Sequence, residues 1–102
     1  MIKVSIMYPN TEGARFDAEY YVDKHVPLAE AKMEGIRDTQ IDIGIPGPGG
    51  AAAPYAGIVH FTFDSMEAFG AAFGGPGMAE VGADMANYTD IAPQIQVSEI
   101  RR

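Results

Sequence analysis

Four stretches of the chain alternate apolar and polar residues with the period of a strand, and two apolar stripes between them carry the period of a helix. Ile2, Val4, Ile6 and Tyr8 alternate with Lys3, Ser5 and Met7. Thr39 to Ile45 sets Ile41, Ile43 and Ile45 against Gln40, Asp42 and Gly44. Tyr55 to Phe63 places Gly57, Val59, Phe61 and Phe63 on one side and Ile58, His60 and Thr62 on the other. Ile95 and Val97 face opposite to Gln96, Ser98 and Ile100 in a last strand. Pro9-Asn10-Thr11-Glu12-Gly13 stops the first strand, and Pro46 to Pro54 reads as a mobile hairpin connection without a regular element.

Asp17 is the expected N-cap of the first helix, with Glu19 in the turn where the helix dipole favours an acid. This helix is expected to end near His25, because Val26 precedes a proline. Pro27 to Glu34 then continues at a kink, and Gly35 suits a left-handed cap. Ser65 caps a second helix that carries Met66, Phe69 and Phe73, and Gly74-Gly75-Pro76-Gly77 breaks it. Met78, Val81 and Met85 mark a further short helical piece. The order strand, helix, strand, strand, helix, strand predicts one α+β domain over residues 1–102. It is a ferredoxin-like βαββαβ unit, a four-stranded antiparallel sheet with its helices on one face.

The sheet face away from the helices would present Ser5, Met7, Gln40, Asp42, Ile58, His60, Thr62, Gln96, Ser98 and Ile100. This is too apolar for a plain solvated surface and too polar for a core. A homodimer that presses two such faces together is the expectation; scattered apolar residues on an open face are the plainer alternative.

Composition narrows the partners. Seven basic against fourteen acidic residues give a formal net charge of −7. That balance opposes nucleic acid and anionic membranes. No apolar run approaches the roughly 20 residues that span a bilayer. With no cysteine there are neither disulfides nor thiolate metal sites, and a cytoplasmic protein is expected.

His25 is the leading candidate for chemistry. It follows Tyr21 by four residues, so both project from one helical face. Either the ring ends the helix by donating to a carbonyl, or it enters a cavity as an acid, a base or a ligand-orienting donor. Tyr8 and Tyr88, with Phe61, Phe69 and Met85, are candidates to line a pocket for a small hydrophobic or aromatic ligand. Asp84 lies within reach of the same cavity or shares a solvated face with Glu80. His60 reads as a satisfied histidine between two sheets. No metal site is expected from two histidines, since zinc or non-haem iron wants three protein ligands.

The run Phe16-Asp17-Ala18-Glu19-Tyr20-Tyr21 with His25-Val26-Pro27-Leu28, after a strand ending Met7-Tyr8-Pro9, resembles the EthD family of dimeric α+β barrels. The closing stretch Asn87 to Gln96 is similar to that family's last helix-to-strand passage. The resemblance implies protomers paired sheet to sheet, a pocket in each between helices and sheet, and the family's helix histidine at His25. It also implies two classes of function. One is a cofactor-independent isomerase, lyase or oxygenase of a degradation or biosynthesis pathway, with His25 as acid/base and Tyr21 or Tyr88 polarising an oxygen. The other is a non-catalytic accessory protein that binds an intermediate or partners a monooxygenase system. Some relatives bind haem, for which His25 or His60 would be the axial ligand. The acidic chain shows no basic pair for the propionates, so no cofactor is expected.

Overall fold

The computed structural model describes residues 1–102. Strand β1 (Ile2–Pro9) takes the middle of the sheet, flanked by β3 (Tyr55–Phe63) and β4 (Gln94–Glu99), with β2 (Asp38–Ile43) beyond β3. Every pairing is antiparallel and the order is β2-β3-β1-β4, the expected ferredoxin-like arrangement. The registers Val4 opposite Phe61 and Ile6 opposite Val59 put the apolar sets of the two inner strands on one face. Val4, Val59, Phe61 and Phe63 are buried there under the helices. The outer strand β4 matches this register through Ile95 and Val97, yet both stay exposed because the helical layer ends before it. No helix is long and apolar enough to cross a membrane.

The first helix departs from expectation at its middle. Asp17 caps α1 (Ala18–Tyr20) by accepting from the Tyr20 N–H at 3.1 Å, as its position predicts. The helix does not end at His25. It widens into a π-turn over Tyr21–His25 and runs on as α2 (Val26–Lys32). The cause is Pro27, which has no N–H to donate and whose ring would strike the Asp23 carbonyl in a regular helix. The wider turn, with the Val26 N–H on the Tyr21 carbonyl, absorbs that conflict without breaking the helix. Met33 closes α2 in an extended conformation, so Gly35 at φ +85° turns the chain toward β2 and does not cap the helix.

Ser65 caps α3 (Met66–Phe73) through the Ala68 N–H. Phe69 and Phe73 pack on Phe63, whereas Met66 faces solvent. After the Gly74–Gly77 break comes α4 (Met78–Asp84), then a 3₁₀ turn at Met85–Asn87. The chain is next fastened to the start of the first helix. The Asp17 N–H donates to the Tyr88 carbonyl at 2.8 Å, and the Thr89 hydroxyl donates to the Arg15 carbonyl at 2.6 Å. The Pro46–Pro54 connection does hold a short 3₁₀ turn, Pro48–Gly50, with the Gly47 N–H on the Ala51 carbonyl.

Gly57 stands opposite Tyr8, and the Phe16 ring lies directly on it. A Cβ at this position would sit 2.7 Å from the Phe16 ring tip, which Tyr8 and Tyr21 hold from the sides. Gly57→Ala is therefore expected to cost about 1–3 kcal/mol through overpacking. A denaturant midpoint equal to that of the parent protein would show that Phe16 can move aside.

Candidate functional site

The π-turn brings the Tyr21 and His25 rings into a near-parallel stack, 5.7 Å between centroids and 17° between planes. Tyr88 arrives from the other end of the chain and packs against the imidazole at 4.4 Å. Burial leaves His25 only 7% exposed and Tyr21 and Tyr88 fully enclosed. The imidazole thus points inward, and the helix-ending alternative does not hold.

Asp84 decides how this histidine is held. Its Oδ2 lies 2.9 Å from His25 Nδ1, while Oδ1 accepts from the Tyr20 hydroxyl at 2.7 Å and from Asn87 Nδ2 at 2.9 Å. Burial pulls the carboxyl upward. The hydrogen bonds from Tyr20, Asn87 and His25, with the nearby imidazole charge, outweigh it and hold the pKa below the ordinary 3.8. An ionised carboxylate only accepts, so the proton of this contact sits on Nδ1 and the carboxylate fixes the tautomer. No protein group hydrogen-bonds Nε2. Asp84 and Glu80 do not share a solvated face, because Glu80 is exposed and pairs with Lys32.

Three phenols complete the cluster. The Tyr8 and Tyr88 hydroxyls hydrogen-bond each other at 2.6 Å. The buried Tyr21 hydroxyl lies beside that of Tyr8 and makes no hydrogen bond of good geometry. Burial raises all three pKa values, most strongly for Tyr88 and Tyr21. They therefore stay protonated and act as donors at neutral pH. A buried hydroxyl without a good partner costs about 1–3 kcal/mol, so the place beside it calls for a physical account.

That place is a small closed cavity of about 30 Å³. Of the candidate residues, Tyr8, Tyr21, His25 and Phe61 line it, together with apolar side chains of the inner strands, the first helix and the α3–α4 segment. Tyr88 and Asp84 support its wall from behind. Phe69 is not part of it; it packs into the Phe63–Phe73 cluster. Met85 faces a separate surface groove with Ala86 and Thr89. In this closed form the cavity accommodates a guest of water size.

The open sheet face holds a second linked set, which sequence patterning placed on one face without connecting. Ser5 Oγ lies 2.7 Å from His60 Nδ1, and His60 Nε2 lies 3.2 Å from Asp42 Oδ2. No group of three or more metal-ligating side chains converges anywhere in the chain.

The Asp84 carboxylate has a folded-state pKa below its unfolded value. Its contribution to stability is therefore fully present above about pH 4 and is lost as pH falls through the lower folded value. Asp84→Asn is expected to lower stability at neutral pH and to flatten the acid limb of a stability–pH profile. An acid limb as steep as that of the parent protein would assign the acid sensitivity to other carboxylates.

A family model for the EthD domain matches residues 11–92. An EthD-like protein from Ralstonia eutropha is 43% identical, with a TM-score of 0.90 over 99% of this chain and 94% of its own. An ethyl tert-butyl ether (EthD) family protein from Bacillus halodurans is 21% identical, with a TM-score of 0.76 over 98% of each chain. SnoaB, a cofactor-independent oxygenase from Streptomyces nogalater, shares the fold at 10% identity, with a TM-score of 0.67 over 99% of this chain and 92% of its own. No curated protein matches the chain. The domain match and the 43% identity place this protein in the EthD family.

Proposed function

We propose that this protein binds a small oxygen-bearing metabolite between helices and sheet, and that His25 acts on it as a general acid/base without a bound cofactor. One observation carries the reading. His25 and Tyr21 line one apolar cavity, the Tyr21 hydroxyl makes no hydrogen bond of good geometry there, and Asp84 holds the imidazole through Nδ1 and leaves Nε2 without a protein partner. In this reading Nε2 takes a proton from carbon beside a carbonyl, or from a phenol. The Tyr21 hydroxyl then donates to the oxygen that becomes negative. The same proton returns from Nε2 to a different atom in an isomerisation, or to a departing group in an elimination. That a cofactor-independent oxygenase is built on the same fold supports the choice of reaction class.

The second reading is a non-catalytic accessory protein that holds a hydrophobic intermediate for a monooxygenase system. The apolar wall of the cavity favours it, since apart from His25 and the tyrosine hydroxyls nothing in the lining can take part in acid/base chemistry.

A panel of enolisable carbonyl compounds and phenols, screened by thermal shift and then for conversion, separates the two. The catalytic reading expects His25→Ala to lose about 10²–10⁴-fold in turnover with its circular dichroism unchanged. Tyr21→Phe is expected to lose about 10²-fold while matching or exceeding the parent in stability, because it removes a buried hydroxyl without a good partner. Turnover untouched by His25→Ala excludes the acid/base role. Stabilisation by a ligand that is never converted favours the accessory protein.

The same reading has two copies meeting through the open sheet face, where half-buried Met7 and Ile58 surround the Ser5–His60–Asp42 set. Light scattering is expected to give twice the chain mass, and Ile58→Arg to give a monomer. A parent protein that is monomeric at micromolar concentration would remove the dimer from the proposal.

A further inference from the structure

The proposed substrate is larger than the cavity, so some part of the wall has to move. Most of the wall cannot. Ile6, Tyr8, Val59 and Phe61 belong to the inner strands, and Tyr21, His25, Val26 and Ala29 to the buried side of the first helix. The remaining wall is Met33 at the end of α2, Phe73 at the end of α3, and Met78 and Val81, which lie on α4.

At its N-terminal end α4 is attached by packing, with the Lys32 stem against Gly77, and by few good hydrogen bonds. It follows Gly74-Gly75-Pro76-Gly77, in which three of four residues have no side chain to pack. The backbone hydrogen bonds through this link are long: 3.5 Å from Gly75 N–H to the Ala72 carbonyl, 3.3 Å from Met78 to Gly75 and 3.4 Å from Val81 to Gly77. No side chain caps α4, and Val81 is its one buried residue. An open groove of about 490 Å³, bounded by Ala31, Ala72 and Gly75, runs beside the link. The Lys32–Glu80 pair across it is exposed and 3.6 Å long, which makes it a weak tie.

The firm anchor lies past the C-terminal end of α4, so the Met85–Asn87 turn is the hinge and Asp84 sits on the moving side of it. Beyond the Met85–Asn87 turn, the Tyr88 carbonyl and the Thr89 hydroxyl are fastened to Asp17 and Arg15. Between the N-terminal end and that anchor, the short hydrogen bonds from α4 to the first helix are those of Asp84 with Tyr20 and His25.

We infer that α4 is a hinged cover over the cavity and that Asp84 is its latch, a positioning residue that ties the state of His25 to closure. Lifting α4 withdraws the carboxylate from Nδ1, and the imidazole loses the contact that fixes its tautomer. Closing over a guest restores it. His25 thus presents Nε2 as the proton acceptor with the cover shut and water excluded, and a guest enters with the dyad broken. The assignment deepens the acid/base reading and rests on it for its catalytic meaning. Its tests use no substrate, so the failure of either is separable.

The chain has no cysteine, so Ala29→Cys places a single thiol on the cavity floor, where Ala29 is 4% exposed. N-ethylmaleimide is expected to label it faster than global unfolding allows. Adding Asp84→Asn is expected to raise that rate about tenfold or more, whereas Arg37→Ala, which breaks an exposed ion pair with Asp64, is expected to leave it within about twofold. Imidazole ¹⁵N shifts should show Nδ1–H for His25 in the parent protein and lose that signature in Asp84→Asn. In the unmodified protein, hydrogen exchange at Val81 and Gly82 should run about 100-fold faster than at Val4 and Phe61. The inference is overturned if labelling proceeds only at the unfolding rate, or if Asp84→Asn moves labelling no more than Arg37→Ala. It is equally overturned if the histidine signature survives Asp84→Asn, or if α4 is protected as well as β1 and β3.

Discussion

The carboxylate of Asp84 accepts hydrogen bonds from Tyr20, His25 and Asn87, and the first two tie α4 to the first helix across the apolar packing of the helical layer. Two come from the first helix and one from the turn that follows α4. Each is a charge-assisted hydrogen bond, half-buried for Tyr20 and His25 and exposed for Asn87, and stronger than one between neutral groups. Withdrawing the carboxylate would leave the imidazole without its orienting partner and release α4 from the first helix. The orientation of the imidazole and the polar contacts between α4 and the first helix therefore rest on one side chain.

Pro27 sets the second constraint. A regular helix cannot carry proline at this point without a lost bond and a steric collision, and the π-turn resolves both. The wider turn stacks Tyr21 on His25 and leaves the Tyr21 hydroxyl in the interior without a hydrogen bond of good geometry. An interior selected for stability alone would fill that position with phenylalanine. A buried phenol without a good partner is a local inconsistency of the kind that accompanies binding sites.

The sheet serves both faces differently. Toward the helices it supplies the apolar floor of the cavity through Ile6, Val59 and Phe61. On the far side the same strands carry a polar chain from Ser5 through His60 to Asp42, spanning β1, β3 and β2. One chain of the EthD family thus holds two histidine–aspartate pairs, one enclosed with tyrosines and one on the open face. Their surroundings, and not their chemistry, separate their roles.

Alternation along β1 to β4, the caps at Asp17 and Ser65 and the break at Gly74–Gly77 made the element order legible in the sequence, because these signals come from neighbours a few residues apart. That His25 and Tyr21 share one face was legible for the same reason, since both lie on one short helix, but whether the ring ends the helix or turns inward was not. The partnership of His25 with Asp84 spans 59 residues and that of Tyr8 with Tyr88 spans 80, so no local period encodes either. The volume of the cavity was equally hidden, because it is the space left over when twelve side chains from sheet and helices meet. The sequence by itself determined which residues share a strand or a helical face, since backbone periodicity acts over a few residues. The tertiary structure alone decided which faces touch, which hydroxyl lacks a good partner and how tightly the cavity closes, because those depend on contacts between segments far apart in the chain.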